Sequence, residues 1–220
     1  MNITFTDPRD RILMIASPVV PQPRFSALPG LEPGQHRYLL AEDGVFLEAR
    51  SRVLHACVRV GDAPGLPFGH VESFLRVVDG DVVSPSLMDD ARELARQALP
   101  NEWAGVLVRR GGKVVLHLPE VIRAERAAVT YSTAGFEPMD LLLDLHSHAN
   151  FPAFFSAEDD RDDRSNPSPV FVSGVFGSLG LGQEATMVLR LMVLGRPYSM
   201  DLSPIRASGL PEPQWGNQEE

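Results

Sequence analysis

Two histidines, a serine and an aspartate stand at set intervals in this chain: His146, His148, Ser156 and Asp159, in the form H-x-H-x(7)-S-x-x-D. Side chains two apart on a strand project from one face, so His146 and His148 can aim both imidazoles at a single ion. A hydrolytic zinc site takes three protein ligands and leaves a fourth position open, so a third donor has to come from another element. Asp159 is the candidate, because a helix capped by Ser156 puts it in the first turn, on the side that doubles back toward the strand end. Such a metal acidifies water and polarises a carbonyl, while a separate carboxylate must take the water proton and return it to the leaving amine. Glu102, in Pro100-Asn101-Glu102-Trp103-Ala104-Gly105-Val106-Leu107, is the best placed acid for that task, with Glu48 and Glu72 as spare carboxylates. Ser156 has a hydroxyl to offer to a developing oxyanion.

Each of these residues also has a plain structural reading. Ser156 and Asp159 alone make a serviceable capping box. Glu102 can be a solvated residue at a strand start, and its distance in sequence from His146 leaves spacing silent about their pairing. Asp160 competes with Asp159 as ligand but points about 100 degrees further round a helix. Asp144 reads either as a partner orienting a histidine or as a strand-edge hydrogen-bonding group. His36, His55, His70 and His117 have no partner at ligand spacing and read as surface or structural histidines. Cys57, inside an apolar run, reads as a small core residue. The acidic stretch 158–163 reads as a solvated helix face that could also attract metal.

The elements that must position these groups follow from periodicity. Residues 1–83 read as short strands and turns without helical periodicity, with Asp43-Gly44 and Asp79-Gly80 as hairpin turns. Leu87, Ala91, Leu94, Ala95 and Ala98 recur at helical spacing, with Ser86 and Asp89 as a capping-box variant near the start and Pro100 as the stop. Strands are expected at 103–108 and 114–118, joined by Arg109-Arg110-Gly111-Gly112-Lys113. The near-continuous apolar run 139–146 marks a strand buried on both faces, which delivers the two histidines at its end. A helix starts at Ser156, and buried strands are expected at 169–175 and 185–193. From 207 to 220 the chain is rich in Pro, Gly, Gln and Glu and is expected to be disordered.

Bulk composition bounds the function. The chain has 220 residues, 44% hydrophobic, enough for one sizeable core or two modest ones. A formal charge of -9 argues against a nucleic-acid partner, which calls for a net basic face. One cysteine cannot form an internal disulfide, and the N-terminus lacks a basic and apolar leader, so the cytoplasm is the expected location. No apolar stretch approaches the roughly 20 residues of a spanning helix, so no membrane role is expected.

The pattern P-x-E-x-x-G-x-L after a helix, followed by H-x-H-x(7)-S-x-x-D after a buried strand, resembles the JAMM (MPN+ or JAB) zinc metallopeptidases over about 84–201. The resemblance implies an α/β (α+β) mixed sheet flanked by helices at 84–206, preceded by a β-rich module at 1–83. It implies Glu102 as catalytic glutamate, His146, His148 and Asp159 as zinc ligands, and Ser156 as the oxyanion-stabilising serine. It further implies cleavage of peptide or isopeptide bonds at the C-terminus of a ubiquitin-like protein. The β-rich start and the acidic run resemble a bacterial branch found in plasmid-associated PRTRC systems, which implies a ThiF-type adenylating enzyme and a small ubiquitin-like protein as partners. The chain departs from the common pattern at Ala149, where many members carry proline, and Pro152 is available to restrain the same loop. Inactive relatives typically lose ligands that this chain keeps. A non-catalytic MPN-type scaffold and a hydrolase of small amides are the alternatives.

Overall fold

The computed structural model describes residues 5–78, 83–180, 182 and 184–199. Leu141, Leu142, Leu143 and Leu145 are buried on both sides of the strand they form, so this strand takes a central place in a six-stranded mixed sheet. In chain order, the elements of the first part are α1 (Pro8–Ala16), β1 (Val19–Pro21), β2 (His36–Leu40), β3 (Gly44–Arg50), β4 (Leu54–Asp62) and β5 (Phe74–Val77). The second part holds α2 (Pro85–Gln97), β6 (Ala104–Arg110), β7 (Lys113–His117), β8 (Val121–Glu125), β9 (Ala128–Tyr131), β10 (Leu141–Ser147), α3 (Ala157–Ser165), β11 (Val170–Gly177), β12 (Thr186–Val193) and β13 (Arg196–Tyr198). The larger sheet runs β13-β12-β11-β10-β6-β7, and β1 to β5 form a second sheet in sequence order. This is a mixed α/β fold with a β-rich N-terminal part.

Parallel neighbours need a crossover, and α3 lies in the connection between the parallel strands β10 and β11. On the opposite side β10 pairs antiparallel with β6, with His146 opposite Ala104. The alternation of β10 splits its side chains: Leu143 and Leu145 join the main core, while Asp144 and His146 line a cleft on the other face. Helix α2 buries Met88, Ala91 and Ala95 in that core. Leu47, Val53, Leu54 and Val58 of the first part belong to the same core cluster, and Arg52 pairs with Asp140 at 2.9 Å.

Several local expectations need correction. Residues 8–16, read as part of a helix-free region, form α1: Asp7 caps it by accepting from the Arg9 amide, and Pro8 occupies its first turn. Its apolar residues are exposed, which is why no amphipathic stripe marked it. The capping box expected at Ser86 and Asp89 does not form. Ser84 is the N-cap without a side-chain cap bond, and Asp89 instead pairs with Arg92. The β8–β9 hairpin was not anticipated, because β8 is exposed throughout and shows no burial alternation. The turn expected at Asp79-Gly80 and the tail expected at 207–220 lie outside the described residues.

Glu48 is spoken for within the N-terminal sheet. Its buried carboxylate accepts from Arg37 Nε at 2.6 Å and from His55 Nε2 at 2.8 Å. Burial pushes this carboxyl up, but the bonds from His55 and Arg37 outweigh it and hold the group below the ordinary glutamate range. A carboxyl depressed in the folded state contributes stability above its unfolded value and loses it as pH falls through the folded one. Wild type is therefore expected to lose melting temperature as pH falls below about 4.5, and Glu48→Gln to show a shallower acid dependence. At neutral pH Glu48→Ala is expected to cost about 3–5 kcal/mol by stranding Arg37. Thermal unfolding followed from pH 7 to 3 checks both.

Candidate metal centre

Strand β10 carries His146, and the chain leaving it carries His148 on the same face. Their Nε2 atoms lie 3.3 Å apart. Helix α3 opens with a capping box: Ser156 Oγ accepts from the Asp159 amide at 3.2 Å, and Asp159 Oδ2 accepts from the Ser156 amide at 2.6 Å. This box turns the Asp159 carboxylate back onto the histidines, with Oδ1 3.0 Å from His146 Nε2 and Oδ2 3.5 Å from His148 Nε2. The capping reading of Ser156 and Asp159 and the ligand reading of Asp159 are thus compatible, since one geometry serves both.

One ligand atom from each of His146, His148 and Asp159 falls within a single sphere of 4.8 Å separation. Bonds of about 2.0–2.1 Å to a tetrahedral zinc imply ligand separations of about 3.3–3.4 Å. The 3.3 Å between the two Nε2 atoms matches that value, and the Asp159 carboxylate offers one oxygen 3.0 Å from His146 and the other 3.5 Å from His148, so the donor set is compatible with a tetrahedral ion. The second nitrogen of a histidine that ligates a metal is ordinarily held by an acceptor or a water. Among the described residues the buried His148 Nδ1 meets no hydrogen-bond partner, and the ring is placed by an edge contact with Phe154 at 4.5 Å between centroids.

The charges are mutually dependent. Burial works against an ionised Asp159, yet hydrogen bonds from His146 and His148 hold its carboxyl far below the ordinary range. Burial likewise pushes His146 down, and the Asp159 bond and charge more than offset this, raising it. The carboxylate of Asp159 is thereby kept anionic, while His146 favours its protonated form, a proton that a divalent cation taking up this nitrogen would displace.

Glu102 and Ser156 line the same cleft as His146, His148 and Asp159. The strand register explains how Glu102 gets there. His146 faces Ala104 across β10 and β6, so two residues further along each strand in opposite directions Glu102 comes level with His148. The pairing continues beyond the strands proper, with Ser147 N donating to Trp103 O and Trp103 N donating to Ser147 Oγ, both at 2.9 Å. The Glu102 amide donates to Glu125 O of the β8–β9 hairpin, and Ala128 and Val129 of that hairpin form part of the cleft wall. Burial raises the Glu102 carboxyl above its ordinary value, against the pull of His148 and His146. Glu48 is bound in its own cluster and Glu72 lies by His70, and neither lines the cleft.

Asp144 accepts from Tyr131 Oη at 2.6 Å, and its carboxyl is pushed up to about 6, chiefly by burial. The expectation of a solvated acidic face on α3 holds only in part. Asp163 is buried and Asp160 turns away from the histidines, and both meet Arg190 of β12. Arg190 had a signal in the sequence: it is the one charge in the apolar run Thr186–Val193, and a buried guanidinium needs carboxylates.

The loop between His148 and Ser156 is pinned by its backbone. His148 N donates to Phe176 O, Ser178 N to Phe151 O and Leu179 N to Ala149 O. Ala149 has φ +48°, a conformation closed to proline, so the departure from the common pattern coincides with a different turn. Gly177 leaves no room for a side chain, since an added Cβ would meet Ala153 N at 2.1 Å and Pro152 C at 2.4 Å. Gly177→Ala is expected to displace this loop and cost about 1–3 kcal/mol, read as a lowered melting temperature.

Comparison with known proteins bears on both parts of the chain. Residues 84–190 match the protein-family model described as prokaryotic homologs of the JAB domain, which supports the JAB family for that part of the chain. Residues 7–77 match a second model, a domain of unknown function, DUF2016. Among solved structures, the chain is similar to the solution structure of protein DSY2949 from Desulfitobacterium hafniense. That match is 24% identical and covers 49% of this chain and 81% of the other, with a TM-score of 0.36. No curated protein matches. No described helix is long and apolar enough to cross a membrane.

Proposed function

We propose that the chain is a zinc-dependent peptidase or isopeptidase that cuts at the C-terminus of a ubiquitin-like protein. The observation that carries this reading is the convergence of His146, His148 and Asp159 in one cleft with Glu102 beside them. When bound, zinc supplies an acidified water and Lewis-acid polarisation of the scissile carbonyl. His146 Nε2, His148 Nε2 and the Asp159 carboxylate would hold it. Glu102, its carboxyl raised by burial, takes the proton of the attacking water and returns it to the leaving amine. Ser156 Oγ receives the Asp159 amide through a lone pair, which leaves its O–H to donate to the oxyanion. The matched JAB-type region supports this chemistry, and the acidic, β-rich chain fits the PRTRC-associated branch, with a ThiF-type adenylating enzyme as a partner.

The test is hydrolysis of a ubiquitin-like protein bearing a C-terminal extension, before and after dialysis against a chelator. Zinc-dependent release of the extension is expected. A protein that binds zinc and cuts neither such fusions nor isopeptide conjugates would be a scaffold instead.

A further inference from the structure

Helix α3 carries Asp159 but has no apolar face with which to dock. Its sequence is Ala-Glu-Asp-Asp-Arg-Asp-Asp-Arg-Ser, and its one buried side chain is Asp163. A helix of nine residues is marginal in isolation, and most helical stability in proteins comes from packing of an apolar stripe. Something other than hydrophobic burial must therefore hold α3 against the sheet. Arg190, projecting from β12 and buried, spans the gap. Its Nε and Nη2 donate to Asp163 Oδ2 at 2.8 and 2.6 Å, its Nη1 donates to Asp160 Oδ1 at 2.5 Å, and its guanidinium stacks on Phe155 at 3.8 Å. Phe155 immediately precedes the N-cap Ser156, so one side chain clamps both the helix and the residue leading into it.

We infer that Arg190 is the positioning residue of the metal centre, orienting Asp159 by clamping α3 through Asp160, Asp163 and Phe155. Lysine cannot reproduce the function, because a point charge neither forks between two carboxylates nor stacks on a ring as a planar guanidinium does. The capping box fixes Asp159 relative to Ser156 only. The clamp ties both to β12, where Arg190 stands opposite Ser173 of β11, and β11 pairs in turn with the histidine-bearing β10. Loss of a group that orients a ligand typically weakens metal binding about 10–100-fold.

This inference rests on the metal-centre reading, and the experiment separates the two. Arg190→Lys, Arg190→Gln and the milder Asp160→Asn are compared with wild type by hydrogen exchange of the metal-free proteins and by chelator competition for zinc. The absorption spectrum of the cobalt-loaded proteins is recorded alongside. Faster exchange confined to 157–165, with β10 and β11 unchanged, is expected together with zinc affinity lowered about tenfold or more and a changed cobalt spectrum. Asp160→Asn is expected to fall between wild type and Arg190→Lys, and it decides the matter if the arginine variants do not fold. Unchanged exchange in α3, or a loosened α3 with wild-type zinc affinity and cobalt spectrum, overturns the inference. Wild type that takes up no divalent metal sinks the metal-centre reading itself, and the positioning role with it.

Discussion

Glu102→Gln is expected to purify with as much zinc as wild type and to lose hydrolysis by about 10²–10⁴-fold in kcat. Glutamine keeps the size and one acceptor of glutamate but cannot take a proton from water. Metal retention follows from the geometry: the candidate ligand atoms come from His146, His148 and Asp159, and Glu102 is level with His148 across the strand pair without belonging to the set. The substitution should also leave the fold intact, since the strand-end bonds beside it are made by backbone and by Ser147. Zinc content by atomic spectroscopy and single-turnover cleavage measure the two halves. Full activity in Glu102→Gln would reject the base assignment while leaving the metal centre untouched.

The complementary result is expected for His148→Ala: loss of stoichiometric zinc and of all zinc-dependent hydrolysis. Two donors on a strand end and a short helix cannot hold the ion as three do. A cavity also opens beside Phe154, whose edge contact places the ring. Metal that binds only the native state stabilises it by mass action, about 2.7 kcal/mol when free zinc is a hundred times its dissociation constant. Wild type should accordingly gain melting temperature on adding zinc, whereas His148→Ala should gain none. His146→Ala should behave alike, with the further effect that Asp159 loses the hydrogen bond that does most to hold its carboxyl low. Calorimetric melting with and without zinc reads this directly, and a zinc-induced rise in His148→Ala would mean that the ion sits elsewhere.

Much of the candidate site is legible in the sequence because its parts are local. His146 and His148 need only a strand, and 139–146 announces one, found at Leu141–Ser147, by an apolar run too continuous for a one-sided sheet. Ser156 and Asp159 need only a helix start, and the capping box is a four-residue device. Glu102 was different, since its sequence separation from the histidines carries no information about a register formed by two strands that meet only in the folded sheet. The β8–β9 hairpin that walls the cleft escaped notice because exposed strands have no burial period to display. The same holds for α1, whose exposed apolar residues make no stripe.

Arg190 marks the boundary most clearly. By itself the sequence determined the donor types, their local spacing, and the presence of one charge that a buried strand has to neutralise. Only the tertiary structure decided that Asp163 and Asp160, rather than some other acids, would answer that charge. It alone also decided that Glu102 rather than Glu48 or Glu72 would stand in the cleft. The reason is physical: side-chain direction within one element follows from backbone period, but which elements lie side by side is set by the shared burial of surfaces far apart in the chain.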